Sequence, residues 1–260
     1  MAIVDNKTEM LEGLTSYWTD RAHSYSAQNI EEMNDWRQAA WRTLILDHAP
    51  QKEHLRILDV GTGPGFFAMT LALAGHDVTA VDATEHMLWH AADNARAYGA
   101  EVNFVLHRGE FLPFEDNSFD LVVSRNVVWN LEFPEKALAD WKRVLVPGGR
   151  MVYFDANWYL YLFDEELREE KARKREEFLR RYPEERGTWE VNPERTKDLE
   201  KMALSLPLSS QRRPDWDVQM MEKLDMRVLE VFEQVGRGVQ SQMEFERDDP
   251  THLFMICAEK

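Results

Sequence analysis

The chain predicts an α/β fold, a mostly parallel sheet with helices on both faces, and three observations predict it. Short apolar runs of strand length alternate with stretches of helical periodicity between residues 55 and 155. The first run, Leu55, Ile57, Leu58 and Val60, drops into glycines at 61, 63 and 65, and an apolar helix pattern resumes at once. That order reads as strand, tight backbone turn, helix. The second run, Val78 to Val81, is closed by an acid, Asp82.

Residues 1 to about 50 read as helical, because Trp18, Ala22, Tyr25, Met33, Trp36, Ala40, Trp41, Leu44 and Ile45 fall near i, i+3, i+4 intervals. Strand one is expected over about 55–60. A helix over about 65–74 ends at Gly75, strand two covers 77–82, and a helix over 84–98 ends at Gly99. Strands three and four are expected at 102–106 and 119–124. Pro134 suits the first turn of a helix over 134–145. The Pro147-Gly148-Gly149 turn then stops that helix and reverses the chain into strand five, 150–155.

The pattern changes over 156–213, which holds the aromatic run Trp158 to Phe163, a charged helix over 164–182 and a stretch with Trp189. Arg213 to Asp217 restarts a helix that leads to Leu229-Glu230-Val231-Phe232 and a final strand, Leu253 to Ala258. Four regions are expected: a helical cover (1–50), the sheet core (51–155), a helical and aromatic lid insertion (156–213), and the rest of the core (214–260). An insertion after strand five would sit beside the strand C-termini, over a ligand crevice.

Composition narrows the function. A chain of 260 residues with 44% hydrophobic content suits one large α/β domain, or a core domain with an appended lid. No window reaches the roughly 18 apolar residues of a membrane span, and the polar N-terminus lacks a secretory signal. The single cysteine, Cys257, reads as a small buried hydrophobe and points to a reducing, cytoplasmic location. A formal net charge of −16 argues against nucleic acid. The basic cluster Lys171 to Arg175 is interleaved with glutamates at helical spacing and reads as a solvated face. A small molecule, an amine or cation among the candidates, is therefore the expected partner, to a monomer or homodimer. No side chains show metal-ligand spacing.

The glycine turn and Asp82 together point to a nucleoside cofactor, since an acid ending strand two is placed to accept from both ribose hydroxyls. A dinucleotide turn wants G-x-G-x-x-G, but Phe66 stands where its third glycine would be. Asp59, just ahead of the turn, would repel a pyrophosphate and suits a cofactor carrying an ammonium or sulfonium. Leu112-Pro113-Phe114, then Phe119-Asp120-Leu121-Val122-Val123, then Arg143-Val144-Leu145-Val146-Pro147-Gly148-Gly149 follow in order. With Asp59-x-Gly61-x-Gly63-x-Gly65 they resemble the motifs of class I S-adenosylmethionine-dependent methyltransferases over roughly residues 55–155.

The resemblance implies a Rossmann-like sheet of seven strands, mostly parallel, with an antiparallel last strand and strands six and seven as an edge hairpin. It implies S-adenosylmethionine as cofactor, S-adenosylhomocysteine as product, and methyl transfer to a small molecule. A non-catalytic binder of the cofactor and a macromolecule-modifying enzyme are the alternatives. Gly61, Thr62, Gly63 and Gly65 would bring main chain against the cofactor, and Asp82 would take the ribose. Asp59 would either hold the amino group or brace the turn. Ala83 and Met87 are candidates for the adenine, Met87 equally for helix core.

At the adenine edge the family's common Gly-Asp-Ala-Glu falls on His107-Arg108-Gly109-Glu110. Without a gap Arg108 then replaces the usual acid and cannot accept a hydrogen bond, whereas a gap that aligns Gly109-Glu110 restores an acid. Gly109, Glu110 and Phe111 are the neighbouring candidates, and Asn126 is the expected main-chain contact to the methionine portion. Tyr17-Trp18 to Tyr25 resembles the cover that small-molecule members fold over the cofactor, so Tyr17 and Tyr25 are site candidates. His23 and Tyr25 are the catalytic ones, His23 as a general base. Trp129, Trp158, Tyr159 and Trp189 are candidates for the substrate wall, where aromatic faces would suit a cation.

Overall fold

The computed structural model describes residues 6–188 and 192–260. Trp189 and its expected place in the substrate wall lie outside the described residues. Two helices open the chain, α1 (Asn6–Met33) and α2 (Trp36–His48), the latter capped by Asp35, whose side chain accepts from Arg37 N. The core then alternates as the periodicity expects: β1 (Arg56–Val60), α3 (Phe66–Ala72), β2 (Asp77–Asp82), α4 (Glu85–Tyr98), β3 (Val102–Leu106) and β4 (Phe119–Arg125). It continues through α5 (Pro134–Val144), β5 (Leu145–Asp155), α6 (Glu165–Arg181), α7 (Pro193–Ala203) and α8 (Asp215–Lys223). The chain ends with β6 (Arg227–Phe232), α9 (Gly236–Val239), α10 (Gln242–Asp248) and β7 (Phe254–Glu259).

The sheet order is β3-β2-β1-β4-β5-β7-β6, with β1 to β5 parallel and β7 antiparallel to both β5 and β6. Successive strand residues serve opposite faces. Ile57, Val123 and Val152 join Trp41, Ile45 and Phe67 of α2 and α3, whereas Leu58, Val122 and Met151 join Leu138, Trp141 and Met221 of α5 and α8. Both faces are therefore covered, which is why the parallel strands read as near-continuous apolar runs.

Two expectations need correction. Pro147-Gly148-Gly149 is no turn between helix and strand, because β5 already begins at Leu145. The pairing with β4 jumps from Phe119↔Leu145 to Leu121↔Arg150, so the segment bulges out of the ladder. Gly148 N–H donates to Lys260 O and Lys260 N–H to Gly149 O, each at 2.9 Å. Likewise β6 and β7 are antiparallel neighbours, but α9 and α10 stand between them in place of a hairpin turn. Cys257 is buried in β7, and burial pushes its thiol up to about 11.

Candidate cofactor and acceptor site

β1 lies between β2 and β4, where the strand order reverses, and a crevice opens beyond the strand C-termini at such a point. The chain leaving β1 turns through Gly61 (φ +69°), whose N–H and that of Thr62 donate to Val81 O at 2.8 and 3.0 Å. A side chain at 61 would be strained at that φ and would meet Val127 Cγ2 at 2.2 Å. At Gly63 the missing Cβ leaves the main chain facing the Tyr25 ring, which an added Cβ would touch at 3.4 Å. Gly65 does something else. It caps α3, packs against Ala91 of α4 and does not line the crevice.

The two acids sit either side of this turn. Asp82 Oδ2 accepts from Gly63 N–H at 2.9 Å and Oδ1 from Thr84 N–H at 2.8 Å. Burial raises its carboxyl above the ordinary value, against the pull of those donors. Asp59 is buried, and burial raises it to about 7 against the Thr62 hydroxyl, which donates to Oδ2 at 2.6 Å, and the Arg125 charge. Asp59 thus braces the turn; the bracing reading has a contact in the structure.

A cavity of 780 Å³ runs along the crevice and is lined by Asp59, Gly61, Thr62, Gly63, Asp82, Ala83 and Met87 on the strand side. Gly109 and Glu110 line it too, although both are also tied into the scaffold. Trp141 Nε1 donates to Gly109 O at 2.7 Å, and Phe133 N–H to Glu110 Oε1 at 3.0 Å. Arg108 lines the same edge, whereas Phe111 is exposed and lies outside it. From the cover come Tyr17 and Tyr25; from the other wall, Trp129, Trp158 and Tyr159. His23 is not among them. It is exposed, its ring 5.8 Å from that of His90, so the structure does not bring it to the site.

Asn126 closes the floor in a left-handed conformation (φ +61°). Its N–H donates to Phe154 O at 2.8 Å, and its carbonyl accepts from Trp129 Nε1 at 3.0 Å. Its Oδ1 is buried with no hydrogen-bond partner among the described residues. Strained backbone and an unsatisfied buried polar atom coincide here, a combination that clusters at ligand sites.

Several contacts that shape the lining had no signal in the sequence. Arg125 Nη1 pairs with Glu32 Oε2 at 2.7 Å, and its guanidinium lies 4.8 Å from the Phe66 ring centroid and 5.2 Å from Trp41 and Phe67. Burial would lower its pKa, but Glu32 and its neighbours raise it, so it stays charged. Arg37 reaches across to Glu244 of α10 at 2.5 Å. The partners lie 93 and 207 positions apart, beyond any local signal. Lys171 and Arg175 also line the cavity, so one face of α6 looks inward, not to solvent as its charge pattern suggests. Behind the far wall, Asp155 accepts from Trp129 N–H at 2.8 Å and Trp158 Nε1 at 3.1 Å. It is held by buried Arg213, which also grips Asp217.

Residues 58–153 match the family described as "Methyltransferase domain". The chain is similar to the demethylmenaquinone methyltransferase of Thermus thermophilus, 39% identical over 44% of this chain and 53% of that protein. It is also similar to the one from Renibacterium salmoninarum, 34% identical over 54% and 56%. The chain therefore spans about half the length of these curated relatives. A solved S-adenosylmethionine-dependent methyltransferase from Aquifex aeolicus shares the fold at TM-score 0.55 and 20% identity, over 89% of this chain and 97% of that one. Motifs, sheet order and domain match agree: residues 58–153 are similar to a methyltransferase domain, and the chain shares its fold with the Aquifex protein.

Proposed function

We propose that this protein transfers the methyl group of S-adenosylmethionine to a small-molecule acceptor by in-line displacement. The observation that carries the reading is one continuous cavity, with the glycine turn and Asp82 on its strand side and aromatic side chains of α1 and the segment after β5 opposite. The residues fit the cofactor: an acid with lone pairs to spare for hydroxyl donors, main chain unshielded by Cβ atoms, and an unpartnered amide oxygen at Asn126. When bound, S-adenosylmethionine supplies an electrophilic methyl carbon.

The chain's own groups do the rest. Asp82 accepts from the ribose hydroxyls, and the main chain of 61–63 lies along the methionine portion. Asp59 offers negative charge toward the ammonium. Ala83, Met87 and the loop 107–110 flank the base. Tyr17 and Tyr25, on the cover of residues 1–50, and the lid of 156–213 exclude water and hold the acceptor in line, the terms that dominate a displacement of this kind. His23 takes no part. A nucleophile already bearing its lone pair needs no base.

A small acceptor is supported by the relatives named above, whose names specify demethylmenaquinone, and by the net charge of −16, which disfavours a polyanion. Among the described residues no helix is long and apolar enough to cross a membrane. Calorimetric titration with S-adenosylhomocysteine, followed by assay of its formation from S-adenosylmethionine over an acceptor panel, tests the proposal. Absence of heat with folded protein removes the cofactor reading. Binding without turnover on any acceptor leaves a non-catalytic binder, and turnover on protein or polynucleotide alone leaves a macromolecule-modifying enzyme.

A further inference from the structure

The far end of the cavity holds a cation that α6 leaves without an acidic partner. On this helix Lys174 pairs with Asp249 at 2.8 Å and Arg181 with Glu246 at 2.7 Å. Lys171, facing inward, has no carboxylate oxygen within 4.0 Å among the described residues. Its Nζ lies 4.3 Å from the centroid of the Tyr161 ring. Glu200, one of the acids whose charge reaches Lys171, accepts the Tyr161 hydroxyl at 2.7 Å. Burial lowers the Lys171 ammonium to about 8, while Asp248 and Glu200 raise it and Arg175 lowers it further. A half-buried ammonium with no carboxylate in direct contact gains from a ligand that supplies one.

From Lys171 a file of rings leads back toward the cofactor end. Tyr161 lies 6.2 Å from Tyr159, and Tyr159 lies 5.1 Å from Trp129, centroid to centroid, with planes tilted by 35° and 41°. Trp129 follows Asn126 on the loop after β4, and its main chain is fixed by Asp155. Ring faces of this kind accept a flat apolar body, and the ammonium accepts negative charge at one end of it.

We propose that the acceptor is a flat aromatic molecule carrying an acidic oxygen, with the body along Trp129 and Tyr159 and the oxygen on Lys171. This rests on the methyltransferase reading above and reverses the expectation of an amine or cationic acceptor. Lys171 lies outside the matched methyltransferase domain.

The test uses the 260-residue protein saturated with S-adenosylhomocysteine and two probes of one shape, 2-naphthoate and neutral 2-naphthamide. The wild type is expected to bind the acid about tenfold or more tightly than the amide, as a charge-assisted contact implies. Lys171→Met and Lys171→Gln are expected to erase that preference and Lys171→Arg to keep it. A preference that survives in both neutral variants, an absent preference in the wild type, or no binding of either probe overturns the proposal. Titration of each protein with S-adenosylhomocysteine separates this from failure of the methyltransferase reading. Loss of that binding in the wild type condemns the larger reading, whereas its presence confines any failure to the role of Lys171.

Discussion

Asp82 is the residue whose role the geometry makes easiest to test. Hydrogen bonds to a charged acceptor contribute about 1.5–3 kcal/mol each. Asp82→Ala is therefore expected to weaken S-adenosylhomocysteine binding roughly a hundredfold by calorimetry. A change under about threefold, with an unaltered melting temperature, would strip it of the ribose role. Asp59 makes a proton prediction. Its folded pKa of about 7 lies above the ordinary 3.8, so the ligand-free protein draws stability from the protonated form and loses it as pH rises through that range. A bound ammonium favours the carboxylate. Titrations near pH 7 in buffers of differing ionisation enthalpy should thus report proton release on binding, and Asp59→Asn should abolish it.

Both acids were legible in the sequence because each ends or adjoins a strand at the glycine turn. The pairing of Arg125 and the inward face of Lys171 were not. Arg125 is recognisable only once Glu32 arrives from α1, and Lys171 sits in a charge pattern that looks entirely solvated.

At the scale of elements, the segment after β5 is joined to the core through one buried ionic cluster. Arg213 donates to Asp155 at 2.8 Å and to Asp217 at 2.6 and 2.9 Å, and the Tyr153 hydroxyl donates to Asp217 at 2.7 Å. Burial alone would lower the Arg213 pKa, yet Asp155 and Asp217 raise it. Arg213→Met strands two buried carboxylates, and breaking such a pair typically costs about 3–5 kcal/mol. Urea unfolding should show a loss of that order, with Trp129 and Trp158 fluorescence changing as their shared acceptor loosens. A loss under about 1 kcal/mol would mean that the cluster contributes little. The helices and strands themselves were readable from periodicity. What escaped was the bulge at Gly148, which depends on Lys260 far along the chain, and the pair α9 and α10, although Ser241 and Glu244 form a capping box that marks the start of α10.

Over the whole molecule, the alternation of apolar runs with helical stretches settles the architecture, and the antiparallel last strand was expected from the resemblance and is present. The end of the cavity proposed for the acceptor was harder to read, since its walls come from α1, the loop after β4 and the segment after β5, brought together only by folding. The strand order has one more outcome. β6 has a single neighbour, β7, which itself fills the gap beside β5. During synthesis β6 leaves the ribosome before the strand that attaches it exists, and meanwhile β5 offers a bare ladder of amides to any passing polypeptide. Copies halted at residue 250 are expected to clump where the 260-residue chain stays dispersed, and light scattering of the two side by side would decide it.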